Sequence, residues 1–368
     1  MLKILVVGMT ENPGGIESVI MNYFRNADSN ELHFDFLSTF PHVAYESEIL
    51  GAGSSIVSLP SRHARPIAFG RKLDSFMKEH AVEYDAIWVN LCNLVNIDFL
   101  KAAKRHGIAR RIIHCHNSQN MEGPLKNMIH AIHRGRIAEY ATDFWTCSEE
   151  ATPWFYGDSI RSNPAYAYIP NAIDPEEVHF DRERRDAIRK EMGWEGKKVL
   201  GNVARLHPQK NQSFLLESLA SLLKEDSTFQ LVLVGDGILR DDLQQQAEEL
   251  GIRHRVEFLG LRADAKDLYQ GMDVFLLPSE YEGVSMSFLE AQANGLPCLI
   301  SDTLSDEGIV NGSVQKLPID VSGVQAWRSA VQDLSSDNSL RGLTALPGSA
   351  YDIHVQVQNL QSLLSQKS

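Results

Sequence analysis

The chain has 368 residues, of which 43% are hydrophobic and 23% are charged, and its formal net charge at pH 7 is −13. This length predicts two domains, and the acidic balance argues against general nucleic-acid binding. No apolar run approaches the ~18 residues of a membrane span, and the first apolar run is too short for a signal peptide. The four cysteines lack Cys-x-x-Cys spacing, so we expect a cytoplasmic protein with reduced cysteines and no zinc site.

The first half of the chain alternates predicted strands and helices. A strand at Lys3–Gly8 leads through the glycine-rich turn Asn12–Ile16 into a helix at Glu17–Phe24. Because glycine permits positive φ, a plain tight turn explains this segment as well as a phosphate-binding loop does. Further strands are predicted at 34–37, 55–59, 86–89, 111–114 and 144–147, with helices near 66–80, 95–106 and 124–141. The alternation indicates a parallel sheet covered on both faces.

The pattern breaks at Tyr168–Pro175, which contains two prolines, and a charged run follows at Asp181–Glu191. We place the crossing between two domains here. A second alternation then begins, with predicted strands at 198–203, 230–234, 256–259, 274–277 and 297–300 and helices near 211–224, 238–250, 264–271 and 285–294. The segment 335–350 is loop-like, and 353–366 has the spacing of a terminal amphipathic helix.

Positive charge is concentrated in one part of this acidic chain. Residues 101–140 carry eight Lys or Arg and two acids, Glu122 and Glu139, so this window is +6 and the remainder is −19. A local basic patch suits a membrane surface or an anionic acceptor. Ordinary solvated helix faces explain it equally well.

Two carboxylates flank the start of the helix predicted near 285–294. Glu282 and Glu290 are separated by seven residues, directly after the predicted strand 274–277. The N-terminus of a helix favours anions, because its first N–H groups lack partners and the helix dipole is positive there. A nucleotide-diphosphate sugar, with hydroxyl groups at both ends and a diphosphate between them, suits this arrangement. A surface acid at Glu282 and a partner of a nearby cation at Glu290 remain the alternatives.

Two cations lie in the loop between the strand that ends near Val203 and the helix that starts near Asn211. Arg205 offers a planar fork and Lys210 a mobile point charge, and both suit a diphosphate. Ligands of parallel sheets bind beyond the carboxyl ends of strands, where this loop lies. The chain has no Asp-x-Asp metal motif, so the cations themselves would neutralise a leaving nucleotide diphosphate. Two ordinary surface cations near a helix start are the alternative.

Together these motifs resemble those of the retaining glycosyltransferases of family GT4, particularly bacterial exopolysaccharide and capsule enzymes. The order and spacing match over about residues 1–305, in Pro13–Glu17, His114–Asn117, Ile169–Asp174, the Arg205/Lys210 loop, Val234–Gly237, Pro278–Ser279 and Glu282–Glu290. The resemblance implies an α/β protein of GT-B architecture, with two Rossmann-like domains facing a cleft. The acceptor-side domain would be 1–170, with a C-terminal helix at about 351–368 packing back on it, and the donor domain would be 171–350.

The resemblance also implies roles for single residues. Glu290 would accept hydrogen bonds from the donor ribose, and Glu282 would lie near the transferred sugar in a family described by front-side attack. Arg205 and Lys210 would hold the diphosphate, and His116 would face the donor sugar, although a purely structural histidine is an alternative. These four residues, Glu282, His116, Arg205 and Lys210, form the implied catalytic set. Further donor contacts are implied at Gly15, Leu261, Gly283, Val284 and Ser285.

Two positions depart from the family pattern, and two loop residues are weaker candidates. Gly283-Val284-Ser285 stands where Gly-Phe-Gly is common, so Ser285 places a hydroxyl near the sugar. Ala172 stands where glycine is usual, which the backbone tolerates unless φ is positive there. Asp236 and Arg262 follow strands near the expected position of the base. His114, which alternates with His116 along its strand, is expected to be buried.

The expected activity is transfer of a hexose or N-acetylhexosamine from a nucleotide-diphosphate sugar, with UDP favoured, and with retention of configuration. The acceptor would be a growing glycan or a polyprenyl-diphosphate-linked glycan, with peripheral contact at the inner face of the plasma membrane. No metal or other cofactor is expected. Alternatives are a nucleotide-sugar epimerase or hydrolase of the same fold and a non-catalytic nucleotide-sugar binding module. A nicotinamide dehydrogenase is disfavoured, because no G-x-G-x-x-G follows the first strand.

Overall fold

The computed structural model describes residues 1–117, 123–335 and 341–365. The chain divides into two compact units. The first comprises Met1–Ala172 together with the residues from Ile353 onward, and the second comprises Ile173–Asp352. Each unit is built on a parallel sheet.

Within the described residues, the first unit has a seven-stranded sheet in the order β3-β2-β1-β4-β5-β6-β7, with every neighbouring pair parallel. The strands are β1 (Leu2–Val7), β2 (Leu32–Ser38), β3 (Ile56–Ser58), β4 (Ala86–Leu91), β5 (Arg110–Cys115), β6 (Asp143–Thr146) and β7 (Tyr166–Tyr168). The helices are α1 (Gly15–Asn26), α2 (Glu46–Gly51), α3 (Pro66–His80), α4 (Asp98–Arg105), α5 (Pro124–Arg134) and α6 (Ala151–Phe155).

The described part of the second unit has a six-stranded sheet in the order β10-β9-β8-β11-β12-β13, again parallel throughout. Its strands are β8 (Lys198–Val203), β9 (Phe229–Val234), β10 (Val256–Gly260), β11 (Val274–Leu277), β12 (Cys298–Ser301) and β13 (Val314–Leu317). Its helices are α7 (Pro175–Val178), α8 (Arg182–Met192), α9 (Gln212–Glu225), α10 (Arg240–Glu249), α11 (Ala265–Gly271), α12 (Met286–Ala293) and α13 (Gly323–Leu334).

The chain ends in helix α14 (Ile353–Ser365), which belongs to the first unit and packs against α1. Residues 366–368 at the end of the predicted terminal helix, and 336–340 in the predicted loop, lie outside the described residues. Glu122 of the basic window does as well.

The strands and helices predicted from the alternation are present, with ends shifted by a few residues. The helix predicted to reach residue 141 ends at Arg134, and a 3₁₀ turn follows at Ile137–Glu139. Strands β7 and β13 and helices α2, α6, α7, α8 and α13 were not predicted. Strand β7, for example, is short and only half-buried and so lacks a strong apolar pattern.

The charged run Asp181–Glu191, which follows the proline-containing break at Tyr168–Pro175, forms helix α8 of the second unit. None of its residues is buried, so no apolar periodicity marks it. Asp181 caps its N-terminus by accepting from the Arg184 N–H at 2.8 Å. Arg185 and Arg189 fasten the helix to the second sheet by ion pairs with the buried Asp273 at the start of β11. These ion pairs hold the helix together with the partly buried Ile188 and Met192, which pack against the core of the second unit.

In each sheet the strand order reverses between two central strands, β1 and β4 in the first unit and β8 and β11 in the second. Loops that leave the carboxyl ends of such a pair run to opposite faces and open a crevice, where ligands of doubly wound sheets bind. In the second unit these loops are 204–211 and 278–285. They contain both predicted cations and the first of the two predicted carboxylates.

Candidate functional site

The loop between β8 and α9 rests on the backbone of a Gly-Asp-Gly turn that follows β9. The Leu206 N–H donates to the Asp236 carbonyl at 3.0 Å. A Cβ atom on Gly235 would lie 2.1 Å from the Ala204 carbonyl oxygen, and one on Gly237 would lie 2.2 Å from that of Leu206. Gly235 also has φ of +132°, which side chains rarely adopt. Both glycines are therefore required for this loop to lie where it does.

The two predicted cations of this loop differ in exposure and in whether they form an ion pair. Lys210 forms an ion pair with Glu282 of the β11–α12 loop, and the two side chains are only 16% and 10% exposed. Arg205 is exposed, and its guanidinium has no ion pair among the residues that the structure describes. Burial, aided by the charges of Arg205 and Lys210, lowers the pKa of His207. The loop thus presents positive charge: Lys210 is paired with Glu282, and Arg205 is accessible to a ligand.

Gln209 joins the two loops at the reversal point of the second sheet. Its side-chain amide donates to the Tyr281 carbonyl at 2.9 Å, and its own carbonyl accepts from the Glu280 N–H at 2.9 Å. One layer below, the Asn202 amide of β8 donates to the Leu276 carbonyl of β11 at 2.8 Å. These bonds fix the β8–α9 loop and the β11–α12 loop to each other.

Helix α12 begins directly after this loop with an open N-terminus. Ser285 is the N-cap residue but makes no capping bond with its side chain, and the first turn carries no acidic residue. The hydroxyl of Ser285 lies 3.1 Å from that of Ser287, while Val284 is buried against Leu289. The first N–H groups of a helix have no partners within it, so this end of α12 favours an anion.

Glu290 lies further along the same helix. Its Oε2 accepts a hydrogen bond from the hydroxyl of the fully buried Tyr269 at 2.9 Å. Burial raises the pKa of the Glu290 carboxyl, although Lys266 and the Tyr269 bond oppose that shift. Lys266 itself forms an ion pair with Glu177. Within the described part of the chain, Tyr269 orients the carboxylate and no cation forms an ion pair with it.

A small pocket lies beside Glu282 at the carboxyl ends of β11 and β12. Its walls include Gly283, Ser285, Leu304 and Glu307. The hydroxyl that Ser285 contributes, where the family pattern has glycine, therefore borders the same space as Glu282.

The residues predicted near the base occupy the turns after β9 and β10. Leu261 is 67% exposed directly after Gly260, whose φ is +68°. Arg262 is held by a bidentate ion pair with Asp264, at 2.7 and 2.5 Å. Asp236 accepts from the next N–H in the chain, that of Gly237, at 2.8 Å. Leu261 is open to a ligand, whereas Arg262 is already engaged.

In the first unit, the turn that follows β1 is organised by a buried carboxylate. Glu17 accepts from the backbone N–H and the hydroxyl of Thr10 at 3.1 and 2.6 Å. A Cβ atom on Gly14 would lie 2.7 Å from a Glu17 oxygen, whereas one on Gly15 would meet nothing within 4 Å. A side chain at Gly14 would therefore displace the Glu17 carboxylate, whereas Gly15, the predicted donor contact, borders open space at the start of α1.

His116 follows β5 in the first unit, and its Nε2 lies 2.8 Å from Asn90 Oδ1. Burial lowers its pKa to about 3. His114 is fully buried, as expected, with its Nε2 3.2 Å from the Ile169 carbonyl. Sequence reasoning did not single out Asn90, although a lone amide in the apolar strand β4 was the available signal. Gln209 and Tyr269 were likewise not identified, because nothing in their surroundings marks them.

The described ranges are 1–117, 123–335 and 341–365. No group of three or more His, Cys, Asp or Glu residues there is placed to hold a metal ion. No helix in those ranges has the length and apolar character needed to cross a membrane.

Comparison with known proteins identifies the family. Residues 184–342 match the family model described as "Glycosyl transferases group 1". The Bacillus subtilis protein named "Putative glycosyltransferase EpsF" is 31% identical over 377 aligned positions, which cover 99% of this chain and 95% of that one. The chain belongs to this family. It is therefore a group 1 glycosyltransferase of the kind that serves polysaccharide or glycolipid biosynthesis.

Other relatives cover part of this glycosyltransferase. The Escherichia coli UDP-Gal:alpha-D-GlcNAc-diphosphoundecaprenol alpha-1,3-galactosyltransferase is 31% identical over 178 residues, which cover 47% of this chain and 46% of that protein.

Solved structures show the fold. HepE of Anabaena in complex with UDP-glucose has a TM-score of 0.80 at 19% identity, with 99% of this chain and all of that one covered. WaaG, a glycosyltransferase of lipopolysaccharide biosynthesis, has a TM-score of 0.74 at 16% identity, over 99% of this chain and all of that one. The predicted α/β class and GT-B architecture are confirmed by these matches.

Proposed function

We propose that this glycosyltransferase moves a hexose or N-acetylhexosamine from a UDP-sugar to a growing or polyprenyl-diphosphate-linked glycan, with retention of configuration. The observation that carries the proposal is the meeting of two loops at the reversal point of the second sheet. There a paired lysine, an available arginine and an open helix N-terminus surround one crevice. The E. coli relative is named for a UDP-galactose donor and a diphosphoundecaprenol acceptor, and HepE was crystallised with UDP-glucose. Both support this choice of substrates.

In the proposed donor complex, Arg205 and Lys210 hold the diphosphate. The ion pair with Glu282 restrains the ammonium of Lys210, so this side chain is already ordered before the donor binds. As the glycosidic bond breaks, negative charge grows on the diphosphate, and the two cations and the α12 N-terminus stabilise it there. No metal ion is needed for this role.

The remaining site residues orient the donor. Glu290, held by Tyr269, accepts hydrogen bonds from the ribose hydroxyls, and Leu261 contacts the base through its backbone. Gly283, Val284 and Ser285 contact the phosphates and the sugar from the start of α12. The second unit is thus the donor domain, and the first unit, with His116 and Gly15, serves the transferred sugar and the acceptor.

Helix α5 supports the proposed contact with a membrane. Leu125, Met128 and Ile132 follow one another at helical spacing, so they share one face, and they are 65, 54 and 54% exposed. Lys126 and Arg134 lie on the same helix, which contains no acidic residue. An exposed apolar stripe beside cations fits an anionic lipid surface, where the acceptor's polyprenyl chain would reside.

The sugar released by slow donor hydrolysis tests the proposal without knowledge of the acceptor. UDP-glucose, UDP-galactose and UDP-N-acetylglucosamine are each incubated with the protein in EDTA, and ¹H NMR follows the anomeric proton before mutarotation. We expect one donor to release UDP and the α-anomer first. Early β-anomer would contradict retention, and activity that appears only with magnesium would contradict the metal-free mechanism.

The same spectra separate the alternatives. An epimerase would convert one UDP-sugar into another without free UDP, and a hydrolase would turn over quickly with no gain from added glycan acceptors. A binding module would change the nucleotide line widths but release nothing. We expect slow hydrolysis that accelerates into transfer when a lipid-linked glycan is supplied.

A further inference from the structure

A buried asparagine lies directly behind His116 in the first unit. Asn90 is in β4, is 2% exposed, and extends towards the end of β5, where His116 follows. Its Nδ2 lies 3.1 Å from the Val7 carbonyl and 3.5 Å from the Trp88 carbonyl, and its Oδ1 lies 2.8 Å from His116 Nε2. The amide thus has partners on both sides.

These partners fix which atom of the amide faces the histidine. A carbonyl oxygen only accepts hydrogen bonds, so the group that faces Val7 must be the NH₂. A flipped amide would place two oxygen acceptors against each other. The Asn90 oxygen therefore faces His116, and because that oxygen only accepts, His116 Nε2 must carry the proton.

The backbone of β1 packs closely against Asn90. A Cβ atom on Gly8 at the end of β1 would lie 2.8 Å from the Asn90 Cβ. Gly8 also has φ of +141°, which few side chains permit. The amide is thus enclosed between β1 and β4, at the reversal point of the first sheet.

We propose that Asn90 is a positioning residue that holds His116 as the neutral Nε2–H tautomer, so that Nδ1 presents its lone pair to a substrate hydroxyl. This inference rests on the proposed function only for the identity of that hydroxyl. His116 is partly exposed, and Nδ1 makes no hydrogen bond to any of the residues that the structure describes. A ligand hydroxyl can therefore donate to it.

The pKa of His116 determines whether Nδ1 can take a proton from a bound hydroxyl. Burial lowers the His116 pKa to about 3, and the ring of the neighbouring His114, 4.2 Å away, is also neutral because burial lowers its pKa. An imidazole with so low a pKa is a poor proton acceptor at neutral pH. Nδ1 therefore orients a hydroxyl by accepting its hydrogen bond and does not take its proton in the free enzyme.

The first test reads the tautomer directly in the wild-type protein. The protein is labelled with ¹⁵N-histidine, and the His116 signals are assigned from the spectrum of a His116→Asn variant. We expect the ¹⁵N shifts of a neutral ring protonated at Nε2, unchanged between pH 6 and 8. An Nδ1–H ring, or a cation in that range, would overturn the inference even if the protein transfers sugar normally.

The second test asks which nitrogen serves the substrate. The amide of His116→Asn reaches the position of Nδ1, whereas that of His116→Gln reaches the position of Nε2. We expect kcat/KM of His116→Asn to be at least ~10-fold higher than that of His116→Gln, because the loss of one hydrogen bond lowers kcat/KM by about this factor. Equal values, or the reverse order, would contradict the assignment of Nδ1.

Asn90→Ala should lower kcat/KM about 10-fold while UDP affinity changes little. The matched control is Asn93→Ala on the following loop, where the lost amide only accepts from the Val95 N–H. We expect that control to keep full activity. If both variants lose activity equally, loop disorder rather than the tautomer is responsible and the role of Asn90 falls. Absence of any transfer in the wild type would instead refute the proposed function and leave the tautomer measurement standing.

Discussion

Lys210 and Glu282 lie 72 positions apart in the chain, yet they form an ion pair between two neighbouring loops. The pair has a consequence for an anionic ligand: Lys210 attracts the diphosphate, and Glu282 repels it. Removing the charge of Lys210 should therefore lower the affinity for UDP, and removing the charge of Glu282 should not lower it. This distinguishes a positioning role of Glu282 from a direct contact with the diphosphate.

Lys210→Ala should weaken UDP binding by at least ~10-fold, because it removes one cation and leaves the Glu282 carboxylate unpaired beside the phosphates. Glu282→Gln should bind UDP as tightly as the wild type or more tightly, and should lose sugar transfer. Calorimetric titration measures both affinities, with Lys224→Ala on α9 as the control for loss of a surface cation. A large loss of UDP affinity in Glu282→Gln would contradict the account of the pair.

Glu290 illustrates a conflict between stability and ligand binding. Burial raises the pKa of its carboxyl in the folded state. A carboxyl whose pKa is raised by folding stabilises the folded state at pH values below the pKa that it has in the unfolded chain. That contribution disappears as the pH rises through the pKa of the folded state. At pH 7 the ionised, buried carboxylate is therefore a cost to the ligand-free protein.

Glu290→Gln should consequently raise the free energy of unfolding at pH 7. This gain should shrink as the pH falls through the raised pKa of the folded state, and it should be absent below about 4.5, the ordinary pKa of the carboxyl. The same variant should bind UDP more weakly, because the amide offers one acceptor where the carboxylate offers two. Urea denaturation at several pH values and UDP titration measure the two effects, with Glu248→Gln as the exposed control. A Gln variant that is less stable than the wild type at pH 7 would show that Glu290 is structurally required.

At the scale of elements, the turn after β9 determines where the β8–α9 loop lies. Sequence alone indicated the Gly-Asp-Gly motif and both cations, because their spacing after apolar strands is visible in the chain. It could not show that Gly237 supports Leu206, since that contact depends on the pairing of β8 with β9. The bond from Tyr269 to Glu290 is hidden for the same reason.

Gly237→Ala should destabilise the protein by ~1–3 kcal/mol, because its Cβ atom must displace the backbone of the loop. UDP affinity should fall with it, since Arg205 lies on the displaced segment. The control is Gly312→Ala in the same unit, where a Cβ atom would meet nothing within 4 Å. Thermal unfolding and UDP titration of both variants provide the comparison. A Gly237→Ala protein with wild-type affinity would separate the turn from the donor site.

Helix α5 has a face that exposes three large apolar residues. Replacing Leu125, Met128 and Ile132 together by serine should abolish co-sedimentation with vesicles that contain anionic phospholipid, and should leave UDP affinity unchanged. The matched control replaces Ile67 and Val82, which are 71 and 91% exposed elsewhere in the first unit. Equal vesicle binding by the stripe variant and the wild type would refute the membrane proposal.

For the whole molecule, the alternation of strands and helices was sufficient to predict two parallel α/β sheets, and the motifs were sufficient to predict the family. Elements without an apolar pattern were not predicted. The charged run at 181–191 is a helix held by Arg185 and Arg189 on Asp273, which becomes visible only when β11 is in place. The reversal of strand order between β8 and β11 is the feature that brings Arg205, Lys210 and Glu282 to one edge of the second sheet.

The central claim is that the crevice of the second unit binds a uridine diphosphate through Arg205, Lys210 and Glu290 without a metal. The most direct test is a thermal-shift titration of the wild type, Lys210→Ala and Glu290→Ala with UDP, GDP and ADP in EDTA. A ligand that binds only the folded state adds ~2.7 kcal/mol at one hundred times its Kd. We predict a shift with UDP that persists in EDTA and is lost in both variants. A wild type that responds to none of the three nucleotides, or a UDP shift that survives in both variants, would contradict the account.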